Sequence, residues 1–267
     1  MKIKKIYQYI AILLLVTLIT QPMQIISVKA SSADVTLNLM DGLISIADQV
    51  YTQKTTGGTV VKTGTVLGDG KIILTGVESS AWNITLTGTN VPTIRYKNVS
   101  TSGYITGTYA GNLNIEIEGN CTFNANYTVY NMASLKNVTV TGIGTSYLNR
   151  VNINGLSTGI TLNNLNSNNA NWKGVVVRSN GTTDVSVNNC TFNATDTITN
   201  SISSPGRVFI KDSIINNIYV NATTALDIDN LTSREFRAGI CNDENLAYYK
   251  YSRGVIRSIR IWERVCF

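Results

Sequence analysis

The same six letters, NCTFNA, occur at residues 120–125 and again at 189–194, and this repetition limits the fold more than any other feature of the chain. Their cysteines, Cys121 and Cys190, lie 69 residues apart, which equals three periods of 23. A period in the twenties is typical of a solenoid, in which each repeat buries its apolar face only against its neighbours. The repetition therefore predicts a stack of similar coils.

A second pattern recurs with the same period: two apolar residues flank one variable residue, and a third apolar residue follows three positions later. Its first positions are Ile72, Ile94, Ile115, Val138, Ile160, Val185, Val208 and Leu226, spaced 18 to 25 residues apart. Two copies are imperfect: one residue is inserted before Cys121 in the copy that begins at Ile115, and Ser213 takes the third position in the copy that begins at Val208. This alternation predicts a short strand with one buried face. Strands on a second side are predicted at Ile84 and Leu86, Val151 and Ile153, Val175 and Val177, and Ile218 and Val220.

A turn residue follows each of these strands, two positions after the second apolar residue. The turn positions are Gly76, Asn98, Gly119, Gly142, Asn164, Asn189, Asp212 and Asn230. Gly, Asn and Asp tolerate left-handed backbone angles, so the chain is expected to bend there once per coil. The pattern predicts an all-β fold, a single-stranded parallel β-helix of about eight coils with an N-terminal cap. The main alternative is a leucine-rich repeat, but that repeat places its Asn one residue later.

This column of Asn and Gly resembles the asparagine-rich turn of right-handed parallel β-helix proteins such as the pectate lyase-like superfamily. More narrowly, DGLISIADQVYTQ (41–53), IILTG (72–76) and NLNIEIEGN (112–120) resemble secreted proteins of Firmicutes described as carbohydrate-binding domain proteins. The resemblance covers about residues 33–233. It implies a right-handed coil and a bacterial protein that binds carbohydrate, and it supplies no catalytic motif at named positions.

The first thirty residues have the features of a secretory signal. Lysines at positions 2, 4 and 5 precede an apolar run that ends near Ile19, and small residues around Lys29 suit cleavage near Ala30. The run is shorter than the roughly 20 residues of a membrane-spanning helix. We therefore predict a signal at 1–30, an N-terminal cap at 31–61, the β-helix at 62–233 and an atypical tail at 234–267. The tail is interpreted either as a native cap or as a truncated or out-of-frame end.

Charge argues against a nucleic-acid partner. The chain has 22 basic and 16 acidic residues, and four of the basic residues lie in the signal, so the mature chain carries 18 against 16, or +2. So small an excess does not predict nucleic-acid binding. A second membrane-spanning stretch is not evident, so no transmembrane anchor is expected in the mature chain.

Aromatic residues between the principal strands favour sugar binding. Trp82, Tyr104, Tyr109, Tyr127, Tyr130 and Trp172 are the candidate ligand-binding residues. An exposed ring stacks on the apolar face of a sugar while its polar edge stays in water. The alternative is that several of these rings close over the corners of coils.

Two pairs of acids raise the question of catalysis: Glu116 with Glu118, and Asp227 with Asp229. Paired carboxylates carry out glycoside hydrolysis. Stacking of coils, however, places Arg95 beside Glu116, Lys97 beside Glu118 and Lys211 beside Asp229, so ordinary cross-strand ion pairs explain the acids. The chain has no histidine, and no catalytic residue is assigned. A lyase that uses Arg95, Lys97 or Lys211 as its base stays open as an alternative.

No cofactor is predicted, and calcium is the one metal hypothesis. Asp184, Asp196 and Asp212 lie near successive coils, and calcium takes oxygen ligands in flexible geometry. Their spacing matches no metal motif, and each is interpreted as a turn residue.

The cysteines are expected to play different roles. Cys121 and Cys190 are predicted core thiols about 14 Å apart, beyond the Cα separation of about 7 Å that a disulfide allows. Cys241 with Cys266 is the only candidate disulfide.

These patterns predict a secreted or cell-surface noncatalytic β-helix module, carbohydrate-binding or adhesin-like, whose partner is a glycan or a cell-surface polymer. A polysaccharide lyase or glycoside hydrolase is the alternative, because the fold alone does not decide between binding and catalysis.

Overall fold

A computed structural model of the protein describes residues 33–156, 159–167, 173–179, 183–193, 200–222, 224–241, 248–251, 254–256 and 259–264. The predictions for the signal at 1–30, Trp172, Asp196 and Cys266 lie outside these ranges, as does part of the tail at 234–267.

The described residues are all-β, with one short 3-10 turn at Leu39–Asp41. The first twelve strands are β1 (Val35–Asn38), β2 (Leu43–Ala47), β3 (Val50–Lys54), β4 (Val60–Thr65), β5 (Ile72–Val77), β6 (Ile84–Thr87), β7 (Ile94–Thr101), β8 (Ile105–Gly107), β9 (Asn112–Phe123), β10 (Val129–Tyr130), β11 (Asn137–Leu148) and β12 (Val151–Leu156). The remaining strands are β13 (Gly159–Asn163), β14 (Val175–Ser179), β15 (Val185–Asn188), β16 (Thr191–Phe192), β17 (Asn200–Ser204), β18 (Arg207–Ile215), β19 (Ile218–Ala222), β20 (Ala225–Ser233), β21 (Phe236–Cys241), β22 (Tyr248–Tyr251), β23 (Gly254–Ile256) and β24 (Ile259–Arg264).

These strands form two long sheets. Sheet 1 has the order β1-β5-β7-β9-β11-β13-β15-β18-β20-β22, with β16 beside β18 and β23 beside β20. Sheet 2 has the order β24-β21-β19-β17-β14-β12-β10-β8-β6-β2-β3-β4. From β5 onward the chain passes repeatedly from one sheet to the other, and each pass adds a parallel strand. Long parallel sheets built in this way are compatible with a β-helix or solenoid.

Apolar side chains from both sheets form one interior. On sheet 1, Val138, Ile160, Val185, Val208 and Leu226 are aligned from strand to strand, and all are buried. The second-side residues predicted from the sequence are buried in sheet 2: Ile84, Leu86, Val151, Ile153, Val175, Val177, Ile218 and Val220. Each coil therefore buries its apolar face against the coils beside it.

The predicted column of sheet 1 is displaced by two residues at one step. Ile94 pairs with Ile115 as expected, but Ile115 pairs with Val140, and Val138 pairs with Leu113. Because side chains alternate with a period of two, this shift leaves every apolar side chain on the inner face. Leu113 lengthens the apolar alternation of β9, so two registers satisfy burial and the repeat pattern alone does not choose between them.

Left-handed backbone angles occur at seven of the eight expected turn positions, with φ between 48° and 92°. They are Gly76, Asn98, Gly119, Asn164, Asn189, Asp212 and Asn230. Amide side chains stack between neighbouring turns: Asn189 Nδ2 donates to Asn164 Oδ1 at 2.8 Å, and Asn230 Nδ2 donates to Asp212 Oδ1 at 2.8 Å. A turn amide therefore supports both the bend of its own coil and the contact with the next.

Gly142 differs from the expectation, since it lies within β11 and the left-handed residue of this coil is Gly144, with φ 59°. The turn is thus displaced by two residues, in step with the register shift. Gly142 has another constraint: a Cβ there would lie 2.1 Å from the carbonyl oxygen of Asn164, so the neighbouring coil approaches too closely for a side chain.

The N-terminal segment begins both sheets and then closes the end of the stack. β1 pairs with β5 and β2 with β6, both in parallel, whereas β3 and β4 form an antiparallel meander with β2. Tyr51 and Gln53 of β3 are buried. Gln53 Nε2 donates to the carbonyl of Asn38 at 2.6 Å, and Lys62 Nζ of β4 donates to the carbonyl of Thr36 at 2.8 Å. Side chains of the cap therefore bond two backbone carbonyls of β1.

Parallel pairing continues beyond residue 233, where the sequence composition changes. β22 and β23 pair with β20, and β24 pairs with β21. The segment after residue 233 thus has a different amino-acid composition but the same arrangement of strands. Strand pairing is made by the backbone, so it tolerates many side chains on an outer face.

Cys121 and Cys190 are free and buried, as the repeat predicts. Burial is the largest influence on both thiols and raises the pKa of Cys121 and, to about 12, the pKa of Cys190. Both side chains therefore pack as small apolar groups that stay protonated.

Candidate ligand-binding surface

The outer face of sheet 1 carries a continuous series of ion pairs, which we call the ion-pair ladder. It consists of Lys71, Arg95, Lys97, Glu116 and Glu118. Glu116 accepts from Lys71 Nζ and from Arg95 Nε, both at 2.7 Å; Glu118 accepts from Arg95 Nη1 at 3.1 Å and from Lys97 Nζ at 2.6 Å. Every carboxylate oxygen of the ladder therefore has a cationic partner.

These contacts keep both acids ionised. For Glu116, burial acts to raise the pKa, but hydrogen bonds from Lys71 and Arg95 outweigh it and the pKa is lowered. The hydrogen bond from Lys97 is the main cause of the lowered pKa of Glu118. A general acid of a glycosidase needs the opposite shift, since it must hold its proton near neutral pH. The pair therefore has the electrostatics of a structural contact.

A second group of charges lies on sheet 1, where Lys211 of β18 is in register with Asp229 of β20. Lys211, Asp227 and Asp229 line a groove of about 340 Å³ together with Phe209. Asp227 and Asp229 are alternate residues of one strand, so their Cα atoms lie about 6.6 Å apart. This groove is the place where the catalytic alternative has its charged side chains.

The aspartates considered for calcium make turn contacts. Asp184 Oδ1 accepts from the backbone N–H of Arg207 at 3.2 Å, and Asp212 Oδ1 accepts from Asn230. Among the described residues, no three acids, cysteines or histidines come together in a way that suits a metal ion.

Three of the predicted aromatic residues meet on the outer face of sheet 2 and form what we call the tyrosine cluster. The rings of Tyr127 and Tyr130 are stacked, with centroids 4.0 Å apart and planes at 19°. Tyr104 meets both edge-on, at 6.0 Å and 5.9 Å. All three are half-buried. Tyr104 immediately precedes β8 and Tyr130 lies in β10, so adjacent parallel strands bring the rings together.

The other aromatic candidates lie elsewhere. Trp82 is half-buried and precedes β6, one coil before Tyr104. Tyr109 is only 2% exposed; burial raises its pKa, and its hydroxyl donates to the carbonyl of Asn112 at 2.9 Å. A Cβ on Gly111 would lie 2.3 Å from this hydroxyl, so the glycine makes room for the ring. Tyr109 therefore closes a coil corner and has no face free for a sugar.

A groove of about 340 Å³ adjoins the tyrosine cluster, and Tyr127 belongs to both. We call it the basic groove, because Arg150, Lys173 and Arg178 line it and no acid is among the described residues that do. Asn152 also lines it, and its Nδ2 donates to the carbonyl of Asn126. Within the described ranges, these three cations form no ion pair. The outer face of sheet 2 thus combines stacked rings with unneutralised positive charge.

The sequence pattern predicted the tyrosines as ligand-binding residues, but it did not predict a binding role for these cations. Arg150 precedes Val151 of β12, and Arg178 follows Val177 of β14. The signal was present in the second-side strands, where basic residues flank the predicted apolar pairs of two successive coils. Strand pairing places Arg150 opposite the position before Val175, and Arg178 follows Val177 at the other end of that strand, so the two cations belong to different columns.

No family model matches the chain, and no curated protein or solved structure matches it either. No helix within the described residues combines the length and apolar character that crossing a membrane requires.

Proposed function

We propose that this protein is a secreted or cell-surface module of bacterial type, without catalytic activity, that binds a carbohydrate polymer through the outer face of sheet 2. Such a module is adhesin-like, because it holds a glycan or another cell-surface polymer without altering it. The observation that carries the proposal is the tyrosine cluster beside an open polar groove. Stacked tyrosines offer rigid apolar faces with polar edges, which is the arrangement that suits a sugar ring.

The proposal includes a finer description of the fold. The chain forms a single-stranded right-handed parallel β-helix of about eight coils, related to the pectate lyase-like superfamily, and residues 1–30 direct its secretion. The period in the twenties, the Asn and Gly turns and the parallel strands support this description. A flat sheet made of many coils presents an extended surface, which fits a polymer better than a small molecule.

A glycan array and titration calorimetry test the proposal with the mature protein and a Tyr130→Ala variant. Loss of the half-buried Tyr130 ring is expected to weaken glycan binding about tenfold or more. Tyr147→Ala is the matched control, because Tyr147 is a half-buried tyrosine of β11 in sheet 1. Equal binding by the two variants, or no glycan binding by the wild-type protein, would contradict the proposal.

The second candidate function is a polysaccharide lyase or glycoside hydrolase that acts in the sheet 1 groove. The proximity of Lys211, Asp227 and Asp229 favours it. An assay for reducing ends and unsaturated products tests it on the glycans that the protein binds. Product formation that disappears in an Asp229→Asn variant would replace the noncatalytic proposal with this one.

A further inference from the structure

The basic groove differs from other charged parts of the described surface in its lack of acids. The cations of the ion-pair ladder each contact a carboxylate within 3.1 Å. In the basic groove, Arg150, Lys173 and Arg178 line one concave site of about 340 Å³, and none of the described residues that line it is acidic. Like charges that share a site repel one another and are stabilised by an incoming anion.

Strand pairing places Arg150 and Lys173 on adjacent coils. The backbone N–H of Lys173 donates to the carbonyl of Asn149 at 2.6 Å, so Lys173 lies one coil from Arg150. Lys173 lies two residues before β14, and Arg178 is the fourth of the five residues of that strand. Neighbouring coils are about 4.8 Å apart, so the rigid sheet sets the spacing of the charged groups. A site on rigid strands is prepared for its ligand before binding.

Arg150 is oriented for a further contact. Its Nη1 donates to the carbonyl of Ala125 at 2.6 Å, which fixes the guanidinium at the wall of the groove. A guanidinium has five N–H donors, and its planar fork matches the oxygens of a carboxylate, sulfate or phosphate. The bond to Ala125 therefore positions the group and leaves donors for a ligand.

Tyr127 connects the two parts of the surface, because it lines the basic groove and stacks on Tyr130. A sugar ring on the tyrosine cluster therefore places its neighbouring substituents at the mouth of the groove. We infer that the preferred ligand is a negatively charged glycan, whose sugar rings stack on the tyrosine cluster while its anionic groups bind Arg150, Lys173 and Arg178. This inference rests on the proposed function and names the ligand class of the same site.

The test compares neutral and charged forms of the same polymers. Dextran is paired with carboxymethyl dextran, dextran sulfate and phosphorylated dextran, and hydroxyethyl cellulose with carboxymethyl cellulose, all in a buffer with a chelator so that no metal ion bridges the anions. The shared backbones separate the contribution of charge from that of the sugar, and the three substituents separate carboxylate, sulfate and phosphate. Polyglutamate supplies negative charge without sugar.

The groove variant is Lys173→Gln with Arg178→Gln, and the matched control is Lys54→Gln with Arg207→Gln, which removes the same charge from exposed positions elsewhere. At least one charged form is expected to bind the wild-type protein about tenfold or more tightly than its neutral parent. The groove variant loses that preference and the control keeps it. The slope of log affinity against log salt becomes shallower in the groove variant only.

Several results would overturn the inference. If neutral and charged polymers bind equally, or if the groove variant keeps the preference, the groove does not select anions, and the proposed function stands. If no polymer and no array glycan binds, the proposed function fails as well. If polyglutamate binds as tightly as the charged glycans, the contact is one of charge alone and the tyrosine cluster has no role in it.

Discussion

The outer faces of sheet 1 and sheet 2 are built from the same short parallel strands but differ in how their side chains are partnered. On sheet 1, outward side chains of neighbouring strands are matched in charge, and the ion-pair ladder leaves no carboxylate oxygen without a cation. On sheet 2, the tyrosine rings contact one another, and Arg150, Lys173 and Arg178 form no ion pair within the part of the chain that the structure describes. A face whose contacts are complete stabilises the fold, whereas a face whose contacts are incomplete is available to a ligand.

The largest changes in the free energy of unfolding are expected for buried residues, and they should be similar for the two sheets. Ile117 lies on the inner side of β9 below the ion-pair ladder, and Ile153 lies on the inner side of β12 below the basic groove; both are buried. Ile117→Ala and Ile153→Ala should each lower the free energy of unfolding by about 2–5 kcal/mol. Chemical denaturation measures both. A cost confined to one sheet would contradict the view that the sheets share one interior.

Removal of one acid from sheet 1 should have the next largest effect. Glu116→Gln breaks two ion pairs and leaves Lys71 and Arg95 without their shared partner. We expect it to lower the free energy of unfolding by about 1–3 kcal/mol, the range for hydrogen bonds to charged groups. Asp41→Asn is the matched control, since Asp41 is an exposed acid of the cap. Glycan affinity should not change in either variant, and a loss in Glu116→Gln alone would place the binding surface on sheet 1.

The ion pairs of sheet 1 should make the free energy of unfolding depend on pH in the acidic range. The folded-state pKa values of Glu116 and Glu118 are lowered, so their stabilising contribution is complete above the unfolded-state pKa of about 4.3 and is lost as the pH falls through the folded values. The difference in unfolding free energy between wild type and Glu116→Gln should therefore be constant above about pH 5.5 and shrink below about pH 4.3. Denaturation curves from pH 3 to pH 7 measure it. A difference that grows on acidification would show that burial, and not the ion pairs, controls these acids.

The smallest expected effect has the opposite sign and belongs to sheet 2. Lys173→Gln with Arg178→Gln removes two of three like charges from one groove, so the free energy of unfolding should rise by about 0.2–1 kcal/mol at low salt. The control pair Lys54→Gln and Arg207→Gln should leave it nearly unchanged. Thermal unfolding at two salt concentrations measures the gain, which screening should reduce. A loss of stability in the groove variant would mean that these cations already have partners in the folded chain.

The alternation of apolar residues predicted the strands of the coils, and the Gly, Asn and Asp positions predicted their turns. Ile160, Val185 and Val208 stack in one column because strand alternation and burial leave few other solutions. The sequence did not predict the register between β9 and β11, because Leu113 makes a second register equally apolar. The choice between such registers depends on the packing of neighbouring coils, which a period does not encode.

The candidate site also contains residues that the sequence predicted and residues that it did not. Tyr104, Tyr127 and Tyr130 were found because aromatic residues outside the principal strands are few, whereas the burial of Tyr109 depends on space left by Gly111 in three dimensions. The cations of the groove were missed because each one, taken by itself along the chain, has the appearance of an ordinary exposed residue. Only strand pairing makes Arg150 and Lys173 neighbours.

The bonds that Gln53 and Lys62 make to β1 have a consequence for how the protein behaves at high concentration. An open strand edge is a template on which another chain can add, and repeated addition produces fibres. Here the acceptors at Thr36 and Asn38 are already occupied by side chains from the same molecule. Two acceptors of this edge are therefore closed to an incoming strand, which disfavours the growth of fibres from the N-terminal end of sheet 1.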